Sequence, residues 1–495
     1  MTLGAVCLAA SYFIDPIGPE NGHTRFWTNL LQNSAFFTLI SFTITFGLAA
    51  TMTAYAAWHI AFKRVWEAMA MFLPIGLLGI FIVWLGTVLG WHHLYIWADA
   101  KIVAKDRILT GKAGFLNIWW YLGAIGFGSL WYYFATLLRK YALAQDNDSD
   151  TTVYPWYQRA KVWAAAFLPI SGFTSAAAIW LWLMSIDPHW YSTMYAWYVT
   201  ASAWVSGVAT TILLLIYLKS RGQFKWVTTE HLHDLGKFLF AFTIFWTYLW
   251  FSQYMLIWYA NNGEETTYFR SRMGNYPVLY YGNLVMNFVL PFLILMRNDT
   301  KRKFGTLAFC SIMILFGHWW DFFQMVKIGP YERVLTEQKA KLHPIEHGTE
   351  TKVTSAVKEA GHEVKEPVKE NGKAGEKIAQ IGDKSEAKHE TPTMGEIEKT
   401  HDAGEKIEKE GTEYAKSSLN YTAQDEKGLE KINEENYFHY TPDMTAGYGI
   451  PGFLELGTML GFLALYVFVV FTYLAKIPVL VEKDPYLEET LHHHS

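Results

Sequence analysis

The chain has 495 residues, of which 52% are hydrophobic, 17% aromatic and only 17% charged. Soluble domains carry about a quarter charged residues, and here the charges concentrate between about Lys327 and Tyr437, so the remainder is apolar enough to take a bilayer as its solvent. The formal net charge of -4, with no basic stripe, gives nucleic-acid binding no footing. Two cysteines, Cys7 and Cys310, are too few to ligate an iron–sulfur cluster, attach a c-type haem or build a disulfide scaffold within this chain.

Ten apolar stretches follow one another at about 3–14, 26–58, 68–92, 117–138, 162–184, 190–218, 238–260, 277–296, 304–326 and 449–475. A spanning helix needs about 20 residues, so the expected fold class is all-α transmembrane with about ten helices. The first stretch, LGAVCLAASYFI, is short and lacks the basic residues and cleavage site of a signal peptide. It is expected to be a helix. FLPIG at Phe72–Gly76 and FLPISG at Phe167–Gly172 each open a Gly-, Ala- and Trp-rich helix, a faint internal repeat.

Lysine and arginine set the expected orientation. The loops holding Lys63, Arg139, Lys219, Arg297 and Lys476 carry sixteen basic residues, against seven in the loops holding Arg25, Lys101 and Arg270. Both termini are therefore expected in the cytoplasm of a bacterial inner membrane, with the charged insertion in the periplasm. That insertion has too few apolar residues to bury a core, and a weakly structured tether is the default.

Ionisable groups near the span ends fall into two layers. One holds His92, His93, Asp99, Asp187, His189, Glu264, Glu265, His318 and Asp321; the other holds His59, Glu67, His231, His233, Asp234 and Lys237. Such groups at membrane depth are costly and often mark a proton or substrate route. His318 and Asp321 lie three apart on one helix and share a face. Asp321 also lies six residues before Lys327, roughly 9 Å below the expected membrane surface. Either a proton relay or a structural hydrogen bond accounts for the pair. In SIDPHWYST, Pro188 enforces a turn, with Asp187 or Ser192 placed to cap the next helix. His189 is positioned to join His93 and His318 in one vestibule. Thr243, Tyr248, Ser252 and Gln253 in the seventh span read as a polar file or as helix-packing groups, as do Asn283 and Asn287 in the eighth. The histidines lie mostly at span ends without repeating spacing, so no intrinsic haem b is expected.

Four segments carry a resemblance. HDLGKFLFAFTIFWTYLWFSQYMLIWYANNGEET (His233–Thr266), WLMSIDPHWYSTMY (Trp182–Tyr195), KRVWEAMAMFLPIG (Lys63–Gly76) and GHWWDFF (Gly317–Phe323) resemble the ActF-type subunits of bacterial alternative complex III. Those subunits are polysulfide-reductase-type (NrfD/PsrC-like) integral membrane proteins. The resemblance covers about 26–328 and the last helix, and leaves the insertion unmatched.

It implies two four-helix bundles, about 26–184 and 190–328, within a nine-helix region 1–328. A periplasmic insertion at 329–447 and a last helix with cytoplasmic tail at 448–495 would complete the chain. It also implies a menaquinol:acceptor oxidoreductase in which this chain binds no cofactor. Menaquinone, haem c and iron–sulfur clusters would belong to an ActC-like membrane subunit, a multihaem cytochrome c and an iron–sulfur protein, with a terminal oxidase as a further partner. The chain would then be a scaffold and a candidate proton conductor. His93, Asp187, His189, His318 and Asp321 would lie at the periplasmic end, Tyr248, Ser252 and Gln253 between, and Glu67, His233, Asp234 and Lys237 at the cytoplasmic end. The competing expectations are a subunit that oxidises quinol itself and a stand-alone secondary transporter.

Overall fold

The computed structural model describes residues 1–18, 22–148, 153–342 and 443–492. Two compact units divide the chain, Met1–Lys339 with Thr441–Ser495, and Ala340–Tyr440. The first is the membrane unit. Most of the expected insertion falls in the second, outside the described residues.

Helices account for the membrane unit, and there is no β-strand among the described residues. The longer ones are α1 (Thr2–Phe13), α2 (Thr24–Thr53), α3 (Lys63–Ala70), α4 (Leu73–Val88), α5 (Ile118–Asn147), α6 (Pro155–Trp182), α7 (Met194–Ser220) and α8 (Thr229–Ala260). After these come α9 (Gly263–Asn275), α10 (Pro277–Leu295), α11 (Phe304–Leu342) and α12 (Phe453–Leu474). Eight helical segments among the described residues are long and apolar enough to cross a membrane, α3 and α4 forming one of them together. α5 is a ninth by length and packing. Its 30 residues reach about 45 Å at 1.5 Å each, and it lies along α4 and α6. Its tryptophans and tyrosines lower its hydropathy without shortening it. The protein is an all-α transmembrane protein.

Chain alternation defines two ends. The insertion end holds residues 14–18, 22–23, 89–117, 183–193 and 261–276, and the tail end holds 54–62, 148, 153–154, 221–228, 296–303 and the described residues after α12. α2, α4, α5 and α6 pack into one bundle. α7, α8, α10 and α11 form the other, through α7–α8 and α8–α10 packing and through side chains of α7 and α10 that bond to α11. α2 also lies against α7, so it belongs to the seam between the bundles. α1 and α12 flank the assembly together.

Two boundaries differ from expectation for identifiable reasons. The expected third span is broken after Ala70 and restarts at Leu73, with Pro74 in its first turn, where a missing N–H costs nothing. Pro169, by contrast, sits inside the unbroken α6. The two FLPI segments therefore occupy different local structures. Finally, α11 runs on to Leu342, so residues 329–342 belong to a helix and not to a loose tether. Lys327, taken as a marker of the membrane surface, is wholly buried in that helix.

Candidate functional site

The insertion-end half of the second bundle is built around Asp321, which is fully buried. Its Oδ1 accepts hydrogen bonds from the Tyr198 hydroxyl of α7, from Asn283 Nδ2 of α10 at 2.8 Å and from Gln324 Nε2 of its own helix at 2.9 Å. Ser202 Oγ donates to Oδ2 at 3.2 Å. Four donors on one carboxylate are what an ionised acid inside a membrane protein requires. Each arrives by helix geometry. Tyr198 and Ser202 are four apart on α7, and Gln324 lies one turn beyond Asp321.

Ser202 also links the carboxylate to His318, whose Nδ1 lies 2.9 Å from the same hydroxyl. A hydroxyl has one proton, so if it is given to Asp321 the imidazole must donate Nδ1–H to the serine. His318 Nε2 is then left as a bare lone pair, and it has no hydrogen-bond partner among the described residues. The edge of the Trp246 ring closes over this imidazole at 5.1 Å between centroids. A carboxylate, a hydroxyl and an imidazole in series can pass a proton without moving any helix.

The Asn283 amide is itself held by Asn287, which donates to its Oδ1 at 2.6 Å. Asn287 lies in a π-turn, Val285–Val289, inside α10. The cause is Pro291, which has no N–H for the carbonyl four residues back. Depth follows from α10. Asn283 lies six residues after Pro277, the start of α10, so the cluster sits roughly 9 Å inside the helix ends.

Between Asp321 and the insertion-end turns lies a cavity of about 20 Å³ lined by Tyr198, Gln253, Tyr268, Arg272, Tyr280 and Gln324, among others. That is room for a single water. Its outer wall is an ion pair, Arg272 Nη2 to Asp187 Oδ2 at 2.9 Å, with the guanidinium 3.3 Å over the Tyr268 ring. Burial opposes the charge on Arg272, but Tyr268, Asp187 and Glu332 together hold its pKa above the ordinary value. Burial chiefly pushes the Tyr268 hydroxyl up to about 12. Asp187 lies against the bare backbone of Gly329, where a Cβ would come within 1.9 Å of its Oδ1. Asp187 is thus an ion-pair partner and not a helix cap, and α7 starts without a side-chain cap at all.

Of the residues singled out from the sequence, Asp321, His318, Gln253 and Asp187 converge here. Ser252 is buried on α8, next in sequence to Gln253. Tyr248 is 62% exposed on the outer face of α8, which removes it from any buried file. His93 is exposed and His189 half-exposed. His189 Nε2 pairs with Asp106 at 2.5 Å, which holds that carboxyl below its usual range. Neither histidine shares a vestibule with His318. Glu67 belongs to the first bundle, where its carboxylate takes a 2.5 Å bond from Arg64 Nη1. His233, Asp234 and Lys237 start α8 in the second bundle, with Lys237 Nζ 2.6 Å from Asp234 and Glu230 3.8 Å from His233. The expected tail-end group is therefore two separate groups.

Sequence reasoning passed over Tyr198, Ser202, Gln324 and Arg272, each of which becomes visible only once α7, α9 and α11 are placed side by side. It also missed a buried ionic cluster nearby. Arg25 donates to both carboxylate oxygens of Glu455, at 2.8 and 2.9 Å, and Asn29 adds a third bond at 3.1 Å. The signal was present in α2, where Arg25, Asn29, Gln32 and Asn33 recur at helical spacing.

The sequence matches no family model and no curated protein.

Proposed function

We propose that this chain is an ActF-like membrane subunit of a quinol:acceptor oxidoreductase of the alternative complex III type. In this reading it scaffolds the complex and carries a proton-conducting group centred on Asp321. One observation carries it. Three of the four segments that bear the resemblance meet at one site. Gly317–Phe323 supplies His318 and Asp321, Trp182–Tyr195 supplies Asp187, and His233–Thr266 supplies Trp246 and Gln253. Segments scattered over the chain that carry one resemblance and converge in space support a shared site.

The chain's own part in the chemistry is protonic. The Asp321 carboxylate accepts a proton from the cavity side. Ser202 and His318 extend the hydrogen-bonded series toward the bundle interior, and Gln324 and Tyr198 hold the entrance. Menaquinol oxidation, haem c and iron–sulfur clusters are assigned to partner subunits: an ActC-like membrane neighbour, a multihaem cytochrome c and an iron–sulfur protein. A terminal oxidase is the onward partner. The setting is the bacterial inner membrane, with the tail end cytoplasmic and the insertion end periplasmic. The excess of Lys and Arg at the tail end supports that orientation.

Purification from native membranes in mild detergent tests the reading, with a haem c spectrum and identification of every co-purifying chain. Multihaem and iron–sulfur chains are expected in stoichiometric amounts. A colourless, solitary protein in several mild detergents would overturn the assignment and favour a transporter.

A further inference from the structure

The tail end of the first bundle holds a second buried ionic group, remote in the fold from the Asp321 site. Arg64, at the start of α3, donates Nη1 to Glu67 Oε2 at 2.5 Å and Nη2 to Asp146 at the end of α5. Arg139, two turns earlier on α5, lies 4.7 Å over the Tyr473 ring and gives Nη2 to that residue's carbonyl at 3.4 Å. Lys63 and Asp484 form a further pair at 2.8 Å beside them.

Charge balances in this group, two guanidiniums against two carboxylates, but hydrogen bonding does not. Arg64 Nε, Glu67 Oε1, Arg139 Nη1, Gln145 Nε2 and Asp146 Oδ1 are all buried without a partner among the described residues. Three of these atoms are donors and two are acceptors. Leaving such groups bare is rare in folded proteins, and the penalty is largest for charged ones. Helix packing alone does not remedy it, because each side chain already uses its other polar atoms on a fixed neighbour. Water does, since one molecule both gives and takes and typically makes about three hydrogen bonds. A cavity of about 10 Å³, lined by Met52, Lys63, Tyr141, Gln145, Tyr157 and Asp484 among others, adjoins the group. That is close to the room one water needs.

We infer that the Arg64–Glu67–Asp146–Arg139 group is a hydrated site whose ligand is water. The bound water joins Glu67 to Arg139 and Asp146 to Gln145, and extends through the cavity toward the Lys63–Asp484 pair. The group becomes a continuous hydrogen-bonded unit reaching from the bundle interior to the helix ends. The inference does not depend on the role assigned to Asp321, and its failure leaves that role standing.

X-ray hydroxyl-radical labelling of the purified native protein tests it, because bound internal water labels the side chains it touches. Met52 is 2% exposed, and Met69 and Met71 are equally buried at 0% and 3%. Oxidation of Met52 several-fold faster than of Met69 and Met71 is the expected result. Equal rates would overturn the inference. A map that shows ordered water elsewhere in the core but none within about 3.2 Å of the five atoms would overturn it as well.

Discussion

At the scale of single residues the Asp321 site makes a sharp demand. Its carboxylate collects four donors, so Asp321→Asn keeps the volume but sets an amide N–H against groups that also donate. A cost of about 1–3 kcal/mol in stability is expected from the unmet donors. On the proposed reading, proton translocation by the complex should fall while quinol oxidation is partly retained, and an unchanged proton stoichiometry would sink that proposal. Gly329 tests the outer wall of the cavity. A Cβ there would lie 1.9 Å from Asp187 Oδ1, so Gly329→Ala must displace the carboxylate from Arg272. About 1–3 kcal/mol is expected from such overpacking. An unshifted thermal midpoint in detergent would mean that Asp187 moves freely and that the pair is not a fixed wall. His92 gives a pH prediction. The Leu94 N–H points at its Nδ1 at 3.2 Å, and Nε2 meets the Val83 carbonyl at 3.1 Å. Burial lowers the pKa from the ordinary 6.5 to about 4, outweighing the Val83 bond that favours the charged ring. The neutral form therefore stabilises the fold fully above pH 6.5, and that stability is lost as pH falls toward 4, because only the unfolded chain takes the proton. The loss is about 3 kcal/mol at most. The thermal midpoint should drop from pH 7 to pH 5, and His92→Gln should flatten the slope.

At the scale of elements, the apolar stretches located the helices well, because about 20 residues of hydrocarbon depth leave few alternatives. They failed where a helix continues inside protein. α11 continues through Lys327 and beyond because its neighbours cover the charge, and hydropathy has no access to neighbours. α2 shows the same blindness in reverse. It is a spanning helix with most of its apolar window buried, yet it carries a run of hydroxyls and amides. Thr38 and Thr45 return their hydroxyls to the carbonyls of Ser34 and Ser41 at 2.6 and 2.8 Å, so the helix satisfies much of its own polarity. His318 and Asp321 were legible as a pair because three-residue spacing fixes a shared face. Tyr198, Ser202 and Asn283 became part of the site only through the packing of α7 and α10. α1 is the element whose sequence explains its partner most directly. Its 12 residues reach about 18 Å, and it lies on α12. Gly4 and Gly461 meet backbone to backbone there, and a Cβ on either would come within 2.5 Å of the other's Cα. Close approach of this kind holds membrane helices together by packing. Gly461→Val should therefore separate α1 from α12, detected as new protease cleavage between residues 14 and 23. Cleavage no faster than in the parent protein would show that α1 is held by other contacts.

At the scale of the whole molecule, the chain has to return α12 to a bundle completed more than a hundred residues earlier. Apolar packing in a bilayer gives weak direction for this, since lipid tails are as apolar as leucine. The Arg25–Glu455 pair supplies direction. It joins the first turn of α2 to the first turn of α12 across 430 residues of sequence. Lys327 of α11 approaches the same carboxylate at 3.9 Å, and Asn29 and the Gly452 N–H complete its coordination. Asp15 adds the second negative charge, taking the Arg25 N–H at 2.9 Å and the Tyr448 hydroxyl at 3.0 Å. Four elements thus meet on one neutral cluster, and α12 has one register in which these bonds all form. Removing one partner leaves buried charge uncompensated, at about 3–5 kcal/mol, whereas replacing the pair by apolar groups of similar size is far cheaper. Glu455→Ala should lower the thermal midpoint steeply. The double variant Arg25→Met with Glu455→Leu should recover part of that loss but dock α12 less uniquely, read as a broader unfolding transition. If the double variant is as unstable as the single one, Arg25 acts through other contacts and the pair does not direct the return of α12.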